Sequence, residues 1–332
     1  MLATGIDHLA RSKRNQFTAV RLNREVELRD DAGWVRTTLT RQQTRLVPLW
    51  RSRSLLEHNA AGSLAIYLSP SELGQPDRIQ PPTLLGNDGE HDYFAVSVTD
   101  NQKDGILKRF PDARFTNLRS ASIDMAAKHA GILAYAKALH YWQHRHAFCG
   151  VCGSPNLLRS AGHRMVCSND ECSRETFPRI DPAIIVLVTH ENACLLGRNV
   201  RWRAGHFSTL AGFVEPGESL EDAVVREVYE EVSIQLADIR YVSSQPWPFP
   251  ASTMCGFYAE AVGRSFDISE EVEEARWFTV ESLTKALKDD EIRLSPPVSI
   301  AFRLLADWYR KNGGSDLEQL VRSQRGATKG SL

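Results

Sequence analysis

The sequence predicts an α/β protein whose second half is an α/β/α sandwich with a mixed sheet, and two observations support this fold class. Residues 182–188 form an unbroken apolar run of strand length, as expected for a strand buried on both faces of a sheet. Further strand-like runs follow, and helical periodicity replaces them near residue 220 and again near residue 300. Strands that alternate in this way with helices fit a sheet covered by helices on both faces.

The remaining elements follow from the same periodicities. In the second half, strands are predicted at 182–188, 193–197, 210–213, 239–243, 254–260 and 275–278, with one helix starting after Ser219 and one at 297–309. In the first half, strands are predicted at 63–68 and 93–98, polar loops around 80–82 and 86–89, and a helix at 122–145. The last twenty residues are rich in Gly, Ser, Lys and Arg, which predicts a flexible tail.

These elements group into five predicted segments. They are an N-terminal α+β domain over 1–125, a linking helix over 126–145, a cysteine-containing ribbon over 146–178, the sandwich domain over 179–312 and the tail over 313–332. A net charge of −1 gives no global attraction to polyanions, and no apolar run reaches the roughly 18 residues of a membrane span. The N-terminus lacks a charged segment followed by an apolar one, so a secretory signal is not expected. We therefore expect a cytoplasmic protein with no membrane partner.

Acidic residues gather on one side of the helix that follows Ser219. Ser219 is a favourable N-cap, and Asp222 completes a capping-box variant. An apolar stripe that faces a core is formed by every fourth residue: Leu220, Val224, Val228 and Val232. Glu227 and Glu231 project along one edge of this stripe, with Glu230 beside them.

Two interpretations of these acids are open. Like charges at i,i+4 spacing destabilise a helix by about 0.2–0.5 kcal/mol, which a solvated acidic face tolerates. A hard cation such as Mg²⁺ or Mn²⁺ would instead remove the repulsion, because these ions prefer carboxylate oxygens. The cation is favoured by further residues at fixed offsets from the acids: Gly212, Glu218 and Arg226.

Residues 212–234 resemble the Nudix box, G-x5-E-x7-R-E-U-x-E-E-x-G-U, where U is a bulky aliphatic residue. One position differs, because Ser233 stands where the box has its last glycine. That glycine follows the end of the helix, where a positive φ is often needed, so the local turn is expected to differ.

The resemblance implies a catalytic role for five of the charged side chains of this stretch. Glu227, Glu230 and Glu231 would hold two or more catalytic cations, Mg²⁺ or Mn²⁺. Arg226 would pair with Glu218 and orient the acids. One of the two adjacent acids, Glu230 or Glu231, would take a proton from the attacking water.

A proline-rich segment, Ser-Gln-Pro-Trp-Pro-Phe-Pro-Ala-Ser, occupies residues 244–252. Its three prolines exclude a helix and stiffen the chain, which would hold Trp247 and Phe249 as aromatic walls for a flat ring; a core loop is the alternative. The segment resembles the SQPWPFPxS signature of the NADH pyrophosphatase branch of Nudix hydrolases. The resemblance implies that its residues bind substrate: Gln245, Pro246, Trp247, Pro248, Phe249, Pro250, Ala251 and Ser252.

Two cysteine pairs precede the sandwich domain. They are Cys149 with Cys152, and Cys167 with Cys172. This arrangement predicts a four-thiolate structural Zn²⁺ site, with disulfides as the alternative. Zinc is favoured because nothing in the sequence indicates export to an oxidising compartment. The second pair has the wider spacing C-x4-C, so its turn is expected to be less tight.

The family resemblance extends from about residue 143 onward and adds four residues outside these motifs. Glu271 would be a further ligand of the catalytic cations, although the acidic run around it could equally be a solvated loop. Phe177 and Phe213 would lie around the nucleotide base, and Ala301 would contact substrate through its backbone. The family's N-terminal domain supports a homodimer, which we also expect here.

The predicted reaction is hydrolysis of the pyrophosphate bond of NAD(H) to NMN(H) and AMP, with a metal-activated water as the nucleophile. Removal of an NAD cap from the 5′ end of RNA requires the same bond cleavage and is a related expectation. Two alternatives remain: a Nudix hydrolase of another nucleoside diphosphate derivative such as ADP-ribose, and a non-catalytic zinc-ribbon regulator that senses a nucleotide. Retention of every acid of the box favours an enzyme.

Overall fold

The computed structural model describes residues 8–18, 20–59, 62–73 and 81–329, with side chains as far as residue 323. Three sequence-based expectations fall partly outside these residues. They concern the first seven residues, the start of the loop at 80–82, and residues 330–332 of the tail. Among the described residues, no helix combines the length and the apolar character needed to cross a bilayer.

The helices, in chain order, are α1 His8–Lys13, α2 Ala32–Leu39, α3 Pro70–Leu73, α4 Asp100–Arg109, α5 Leu118–Ala121, α6 Ala127–Arg145, α7 Leu220–Val232, α8 Val280–Lys288, α9 Ile300–Lys311 and α10 Leu317–Lys329. The strands of the first half are β1 Thr44–Trp50, β2 Arg53–Asn59, β3 Gly62–Ala65, β4 Thr83–Asn87, β5 Asp92–Ser97, β6 Ala113–Thr116, β7 Asn156–Arg159, β8 Arg164–Cys167 and β9 Glu175–Thr176. Those of the second half are β10 Asp181–His190, β11 Ala193–Asn199, β12 His206–Phe207, β13 Leu210–Phe213, β14 Leu236–Trp247, β15 Ser252–Ala261, β16 Val272–Phe278 and β17 Arg293–Leu294.

The chain divides into two compact units. Of the described residues, the sandwich unit takes those before residue 16, those from 181 to 245 and those from 253 onward. The N-terminal unit takes the described residues from 16 to 180 and from 246 to 252. Both units are therefore built from segments that are discontinuous in sequence.

A six-stranded sheet forms the centre of the sandwich unit, with strand order β14-β15-β10-β11-β16 and β13 paired to β10. The alternation of side chains along β10 shows that both faces of this sheet are covered. Ile185 and Leu187 contribute to a core that contains residues of α8, α9 and α10. Ile184 and Val186 point the other way, into a core that contains residues of α7. The predicted α/β/α sandwich is thus confirmed, with the apolar run at 182–188 as its central strand.

The N-terminal unit has its own six-stranded sheet, with order β3-β2-β1-β5-β4 and β6 paired to β2. This sheet is mixed, because β1 is parallel to β5 and antiparallel to β2. Helix α6 packs on one face through Ile132, Leu133 and Leu139, which share a core with residues of β1, β2, β4 and β5. A second core on the opposite face contains residues of α2 and α4.

Three elements differ from the sequence-based expectations. Helix α6 begins at Ala127 rather than at 122, because residues 122–124 form a separate 3-10 turn and Met125 is extended. Strand β14 continues to Trp247 and so includes the start of the proline-rich segment. A proline is tolerated there because β14 is an edge strand, and its outer side has no hydrogen-bonded neighbour to lose. The flexible tail predicted for 313–332 is wrong for the residues of α10, since Leu317 and Val321 are buried in the sandwich core. Its polar composition concealed an amphipathic helix.

Candidate active site and metal centres

The loop and helix that carry the predicted catalytic residues are closely packed. Strand β13 pairs with β10 so that Gly212 lies opposite Ile184, and the chain then turns into α7. A Cβ atom at Gly212 would lie only 1.8 Å from the carboxyl carbon of Glu227. This position therefore requires glycine for the carboxylate of Glu227 to occupy its observed place.

Helix α7 begins with the predicted capping box, in which Ser219 and Asp222 satisfy each other's backbone N–H groups. Three residues of its apolar stripe, Val224, Val228 and Val232, have no exposed surface, and Leu220 is partly buried. The helix ends at Ser233, which adopts the left-handed conformation with φ 57° and donates its N–H to the carbonyl of Tyr229 at 2.8 Å. The expectation that serine would alter this turn is not met, since Ser233 takes the positive φ that a glycine would take.

Arg226 organises the acids around it. Its Nε and one terminal nitrogen donate to both oxygens of Glu218, at 2.5 and 3.0 Å. Its other terminal nitrogen donates to Glu227 at 2.9 Å and to Glu230 at 3.0 Å. The carbonyl of Phe213 accepts a fifth bond at 2.8 Å, so all the donors fix the loop and the helix together. These bonds lower the pKa of Glu218 and raise that of Arg226.

Glu231 is the acid that this network does not satisfy. Its Oε2 is buried and has no hydrogen-bond partner among the described residues. Burial, followed by the charges of Glu227 and Glu271, raises the pKa of Glu231 to about 8. Burial also raises the pKa of Glu227, against the opposing effect of Arg226. A buried carboxylate beside other carboxylates is costly unless a cation compensates its charge.

The loop before β16 brings Glu271 to the same acids. The N–H of Ser269 donates to the carbonyl of Glu231 at 3.0 Å, which attaches this loop to the end of α7. The charge of Glu271 raises the pKa of both Glu227 and Glu231. The neighbouring acids Glu273 and Glu274 instead pair with arginines of the sheet.

The donor set of Glu227, Glu230, Glu231 and Glu271, hereafter the acid cluster, fits a hard divalent cation. All the available ligands are carboxylate oxygens, and one buried oxygen lacks any other partner. The glutamate pair at positions 227 and 231 remains repulsive without a cation, whereas Arg226 already neutralises Glu218. The chemistry of these carboxylates therefore suits a divalent metal, although among the described residues only the four cysteines bring all their ligand atoms within 4.8 Å of one another.

The four predicted cysteine ligands also come together. Their Sγ atoms all lie within 4.8 Å of one another, with 3.3 Å between Cys152 and Cys167 and 3.8 Å between Cys149 and Cys172. The turn at Cys149 is closed by a bond from the N–H of Gly153, a residue with φ 75°, to the carbonyl of Cys149 at 2.9 Å. Strands β7, β8 and β9 support this arrangement as a small antiparallel sheet. Four convergent thiols form a suitable set for tetrahedral Zn²⁺.

Gln245 and Ala301 are linked through the start of α9. The fully buried amide of Gln245 donates to the carbonyl of Val298 at 2.7 Å and accepts from the N–H of Ile300 at 2.8 Å. Gln245 therefore positions the first turn of α9, in which Ala301 is buried. The backbone N–H groups of a first helical turn have no acceptor within the helix, which suits the backbone contact predicted for Ala301.

The proline-rich segment contributes its aromatic rings to the N-terminal unit. Trp247 and Phe249 meet edge-on at 5.1 Å, and Phe17 packs against both, at 6.0 and 5.6 Å. The guanidinium of Arg119 lies 5.3 Å from the centre of the Trp247 ring, and the ammonium of Lys137 lies 5.9 Å from that of Phe249. Both rings are partly buried and pack against the core of the N-terminal unit, with a cation beside each of them.

The other residues of this segment differ in their exposure. Pro248 is buried, Pro246 and Pro250 are exposed, and Ala251 and Ser252 are partly buried. The predicted base-binding aromatics Phe177 and Phe213 are both exposed, Phe177 after β9 of the N-terminal unit and Phe213 at the end of β13 in the sandwich unit. Substrate contacts by all these residues stay predictions.

Two features of these sites were not identified from the sequence. Arg119 lies over the ring of Trp247, a residue 128 positions away in the chain. The loop between β11 and β12 begins beside Glu271, because the N–H of Val200 donates to the carbonyl of Glu271 at 3.1 Å. Neither contact has a local sequence signal, since each depends on pairing between distant segments.

Comparison with known families matches three parts of the chain. Residues 179–297 match the NUDIX domain, residues 43–142 match the NADH pyrophosphatase-like rudimentary NUDIX domain, and residues 144–177 match the NADH pyrophosphatase zinc ribbon domain. The sandwich fold and the match over residues 179–297 thus define a protein with a NUDIX domain.

Curated relatives provide a second comparison. The chain is 36% identical over 238 residues to NAD-capped RNA hydrolase NUDT12 of Macaca fascicularis, covering 68% of this chain and 52% of that protein. The Homo sapiens protein of the same name is 35% identical over the same coverage. NAD-capped RNA hydrolase NudC of Stutzerimonas stutzeri (strain A1501) is 44% identical over 174 residues, covering 52% of this chain and 62% of that protein. The chain spans about half to three-fifths of the length of these relatives. The chain therefore carries a NADH pyrophosphatase-like rudimentary NUDIX domain, a NADH pyrophosphatase zinc ribbon domain and a NUDIX domain, in that order.

Proposed function

We propose that this protein hydrolyses the pyrophosphate bond of NAD(H), releasing NMN(H) and AMP, and removes NAD caps from RNA 5′ ends by the same reaction. The observation that carries the proposal is the buried, unpartnered oxygen of Glu231 within the acid cluster. The names of the relatives, all NAD-capped RNA hydrolases, support the choice of substrate.

The acid cluster would hold two or more Mg²⁺ or Mn²⁺ ions through Glu227, Glu230, Glu231 and Glu271. Such ions neutralise phosphate oxygens and lower the pKa of a bound water. Arg226 and Glu218 would act as positioning residues, because their hydrogen bonds hold Glu227 and Glu230 in place.

In the reaction, a water oxygen attacks one phosphorus of the anhydride, and the bond from that phosphorus to the bridging oxygen breaks. The bridging oxygen leaves with the other phosphate, and the water proton passes to a carboxylate. Glu231 is the better acceptor, since it has a free oxygen, while Glu230 already accepts from Arg226. Phe213 and the backbone of Ala301 are the proposed substrate contacts of the sandwich unit.

Replacement of the two adjacent glutamates tests this proposal. Glu231→Gln and Glu230→Gln are incubated with NADH and Mn²⁺ or Mg²⁺, and AMP is measured by chromatography. We expect kcat to fall by roughly two or more orders of magnitude for Glu231→Gln, with little change in dinucleotide affinity. Glu221→Gln, an exposed acid in the first turn of the same helix, is the matched control. Full turnover in both test variants would show that the acids are wrongly assigned.

A substrate profile separates the proposed substrate from its alternatives. NADH, NAD⁺, ADP-ribose and NAD-capped RNA are compared at equal concentration with the wild-type protein. Preference for ADP-ribose would indicate a different Nudix specificity, and failure to turn over any substrate would indicate a nucleotide-sensing regulator.

We further propose that the four cysteines hold one structural Zn²⁺. The convergence of their Sγ atoms and the match to the zinc ribbon domain support this. Elemental analysis should find one zinc per chain, and Cys149→Ser with Cys152→Ser should abolish it. Because thiolate ligands must remain reduced, zinc here is consistent with a cytoplasmic protein.

We also propose that the chain forms a homodimer. Large apolar side chains are exposed at Phe148, Val151 and Leu157, as is common at sites of protein association. Light scattering coupled to size-exclusion chromatography should give about twice the 37.3 kDa mass of the chain, and a monomeric mass would refute the proposal.

A further inference from the structure

The loop of residues 200–205, hereafter the Trp loop, starts next to the acid cluster. It leaves β11 at Asn199, which pairs with Val272 of β16. The N–H of Val200 then donates to the carbonyl of Glu271 at 3.1 Å. The loop that contains Glu271 is itself attached to the acid cluster, because the N–H of Ser269 donates to the carbonyl of Glu231 at 3.0 Å. The Trp loop therefore borders the place where the cleaved anhydride would bind.

The backbone of the Trp loop is held at both ends. Asn199 accepts from the N–H of Arg201 at 3.0 Å through its side chain, and from that of Trp202 at 2.9 Å through its carbonyl. At the other end, the carbonyl of Gly205 accepts from the N–H of Arg293 at 2.7 Å. The loop therefore presents its side chains from an ordered support.

The side chains presented are two arginines on either side of a tryptophan. Trp202 is 41% exposed, an unusual degree for the largest apolar side chain, and contacts His206 edge-on at 5.5 Å. Arg201 and Arg203 are exposed, and neither forms an ion pair with any described residue. Arg198 contrasts with them: it is bound to Glu273 at 2.6 Å and lies 3.8 Å from Glu274. The charge of Arg198 is therefore neutralised within the protein, whereas the charges of Arg201 and Arg203 are available to bind a ligand.

An exposed aromatic ring between two unpaired arginines suits single-stranded nucleic acid. A base can stack on the ring, and the phosphates on either side can pair with the guanidinium groups. Free NAD(H) ends at the adenosine ribose, but in a capped RNA the chain continues from that ribose through a further phosphate and base. Such a chain needs a surface that starts at the reaction site and leads away from it.

We propose that the Trp loop binds the first nucleotides after the NAD cap, with Trp202 stacking on a base and Arg201 and Arg203 pairing with phosphates. This inference rests on the proposed function, because it assigns a contact surface to the capped-RNA substrate. Arg201, Trp202 and Arg203 would then determine the specificity for capped RNA over the free dinucleotide, and they would take no part in the cleavage of the bond.

The test compares two substrates in each variant. For Trp202→Ala, and for the double variant Arg201→Gln with Arg203→Gln, we expect kcat/KM on an NAD-capped RNA of ten nucleotides to fall about tenfold. Hydrolysis of NADH should be unchanged. Trp202→Phe keeps a stacking ring and should recover most of the loss. In the double arginine variant, the dependence of kcat/KM on salt should also weaken. The loss of two phosphate contacts reduces the steepness of log kcat/KM against log salt concentration by about 1.4.

A matched control removes two positive charges from another surface of the sandwich unit. Arg240 and Lys311 are exposed and line a groove to which no residue of the Trp loop contributes, so Arg240→Gln with Lys311→Gln should leave both substrates unaffected.

The outcomes separate the two proposals. Equal loss on NADH and capped RNA, no loss on either, or loss only in the control double variant would each overturn the role of the Trp loop. Wild-type protein that cleaves NADH but not capped RNA would also overturn it, while leaving dinucleotide hydrolysis intact. Folded wild-type protein that cleaves neither substrate with Mn²⁺ would instead refute the proposed function itself.

Discussion

At the residue scale, the acid cluster depends on close packing as much as on charge. The carboxylate of Glu227 occupies space that a side chain at position 212 would need. That carboxylate is the mobile end of a long side chain, so an added methyl group would displace it rather than disrupt the core. Gly212 therefore contributes to the position of Glu227 more than to the stability of the fold.

Gly212→Ala should separate these two effects. We expect its unfolding temperature to change by about 2 °C or less, because only the end of Glu227 must move. Turnover of NADH with Mn²⁺ should fall by about 100-fold, the usual cost of misplacing a reacting group by about 1 Å. Calorimetry and steady-state kinetics measure the two quantities. A large loss of stability with unchanged kcat would show that Gly212 serves the fold instead.

His163 predicts a dependence of stability on pH. Its Nε2 donates to the carbonyl of Leu84 at 2.6 Å, and burial, with a smaller effect from Arg29, lowers the pKa of His163 to about 4. The unfolded chain binds this proton near pH 6.5, so stability should be lost as pH falls from about 6.5 through 4. His163→Gln should reduce that loss.

Thermal unfolding at pH 7.0 and pH 5.0 checks the effect of His163. The exposed His58, changed to Gln, is the control and should behave like the wild type. An identical loss of stability between the two pH values in wild type and His163→Gln would contradict the assignment.

At the scale of the element, helix α7 ends in a left-handed turn in which a serine replaces the favoured glycine. The helix needs a left-handed residue after its last turn, and Ser233 provides it with φ 57°. A residue with a Cβ atom is strained there, and glycine is not. The end of the helix thus has the geometry of the Nudix box in spite of the substitution.

Ser233→Gly should therefore stabilise the protein by about 0.5–1 kcal/mol, less the entropy that glycine adds to the unfolded chain. Thermal unfolding should show a small rise in the midpoint, with kcat on NADH unchanged because Ser233 follows the acid cluster without contributing to it. Ser233→Ala is the control, and should give no gain. A lower midpoint for the glycine variant would show that the serine hydroxyl has a stabilising role.

At the scale of the whole molecule, both units are assembled from distant segments. Residues 246–252 belong to the N-terminal unit, although residues 245 and 253 on either side belong to the sandwich unit. The sandwich unit in turn includes residues before 16. Asn15 shows how they are attached: its buried amide donates to the hydroxyl of Ser243 at 3.1 Å and to the carbonyl of Ser244 at 2.9 Å.

Asn15→Ala should destabilise the sandwich unit by about 1–3 kcal/mol, because it leaves two buried acceptors without these donors. The measurement is the thermal midpoint of the full chain. Arg14→Gln removes a more exposed ion pair, with Asp307 at 2.9 Å, and should cost less than 1 kcal/mol, at about the level of surface pairs. Equal effects of the two changes would argue against a specific role for the buried amide.

Much of the protein follows from local patterns in its sequence. The apolar run at 182–188, the capping box at Ser219 and the spacing of the box acids each depend on neighbours within a few residues, and each predicted its element and the role of that element in the sandwich. The four cysteines were recognisable for the same reason, since ligand spacing within each pair is a local property.

Other features depend on contacts between residues that are far apart in the chain. Only the tertiary structure shows that Gln245 positions the first turn of α9, that Arg119 covers Trp247, and that the Trp loop begins beside Glu271. The polar composition of residues 313–332 likewise suggested a tail, while Leu317 and Val321 of α10 are buried in a core assembled from distant strands and helices. Sequence periodicity records which face of an element is apolar, but the partner of that face is chosen by the packing of the whole chain.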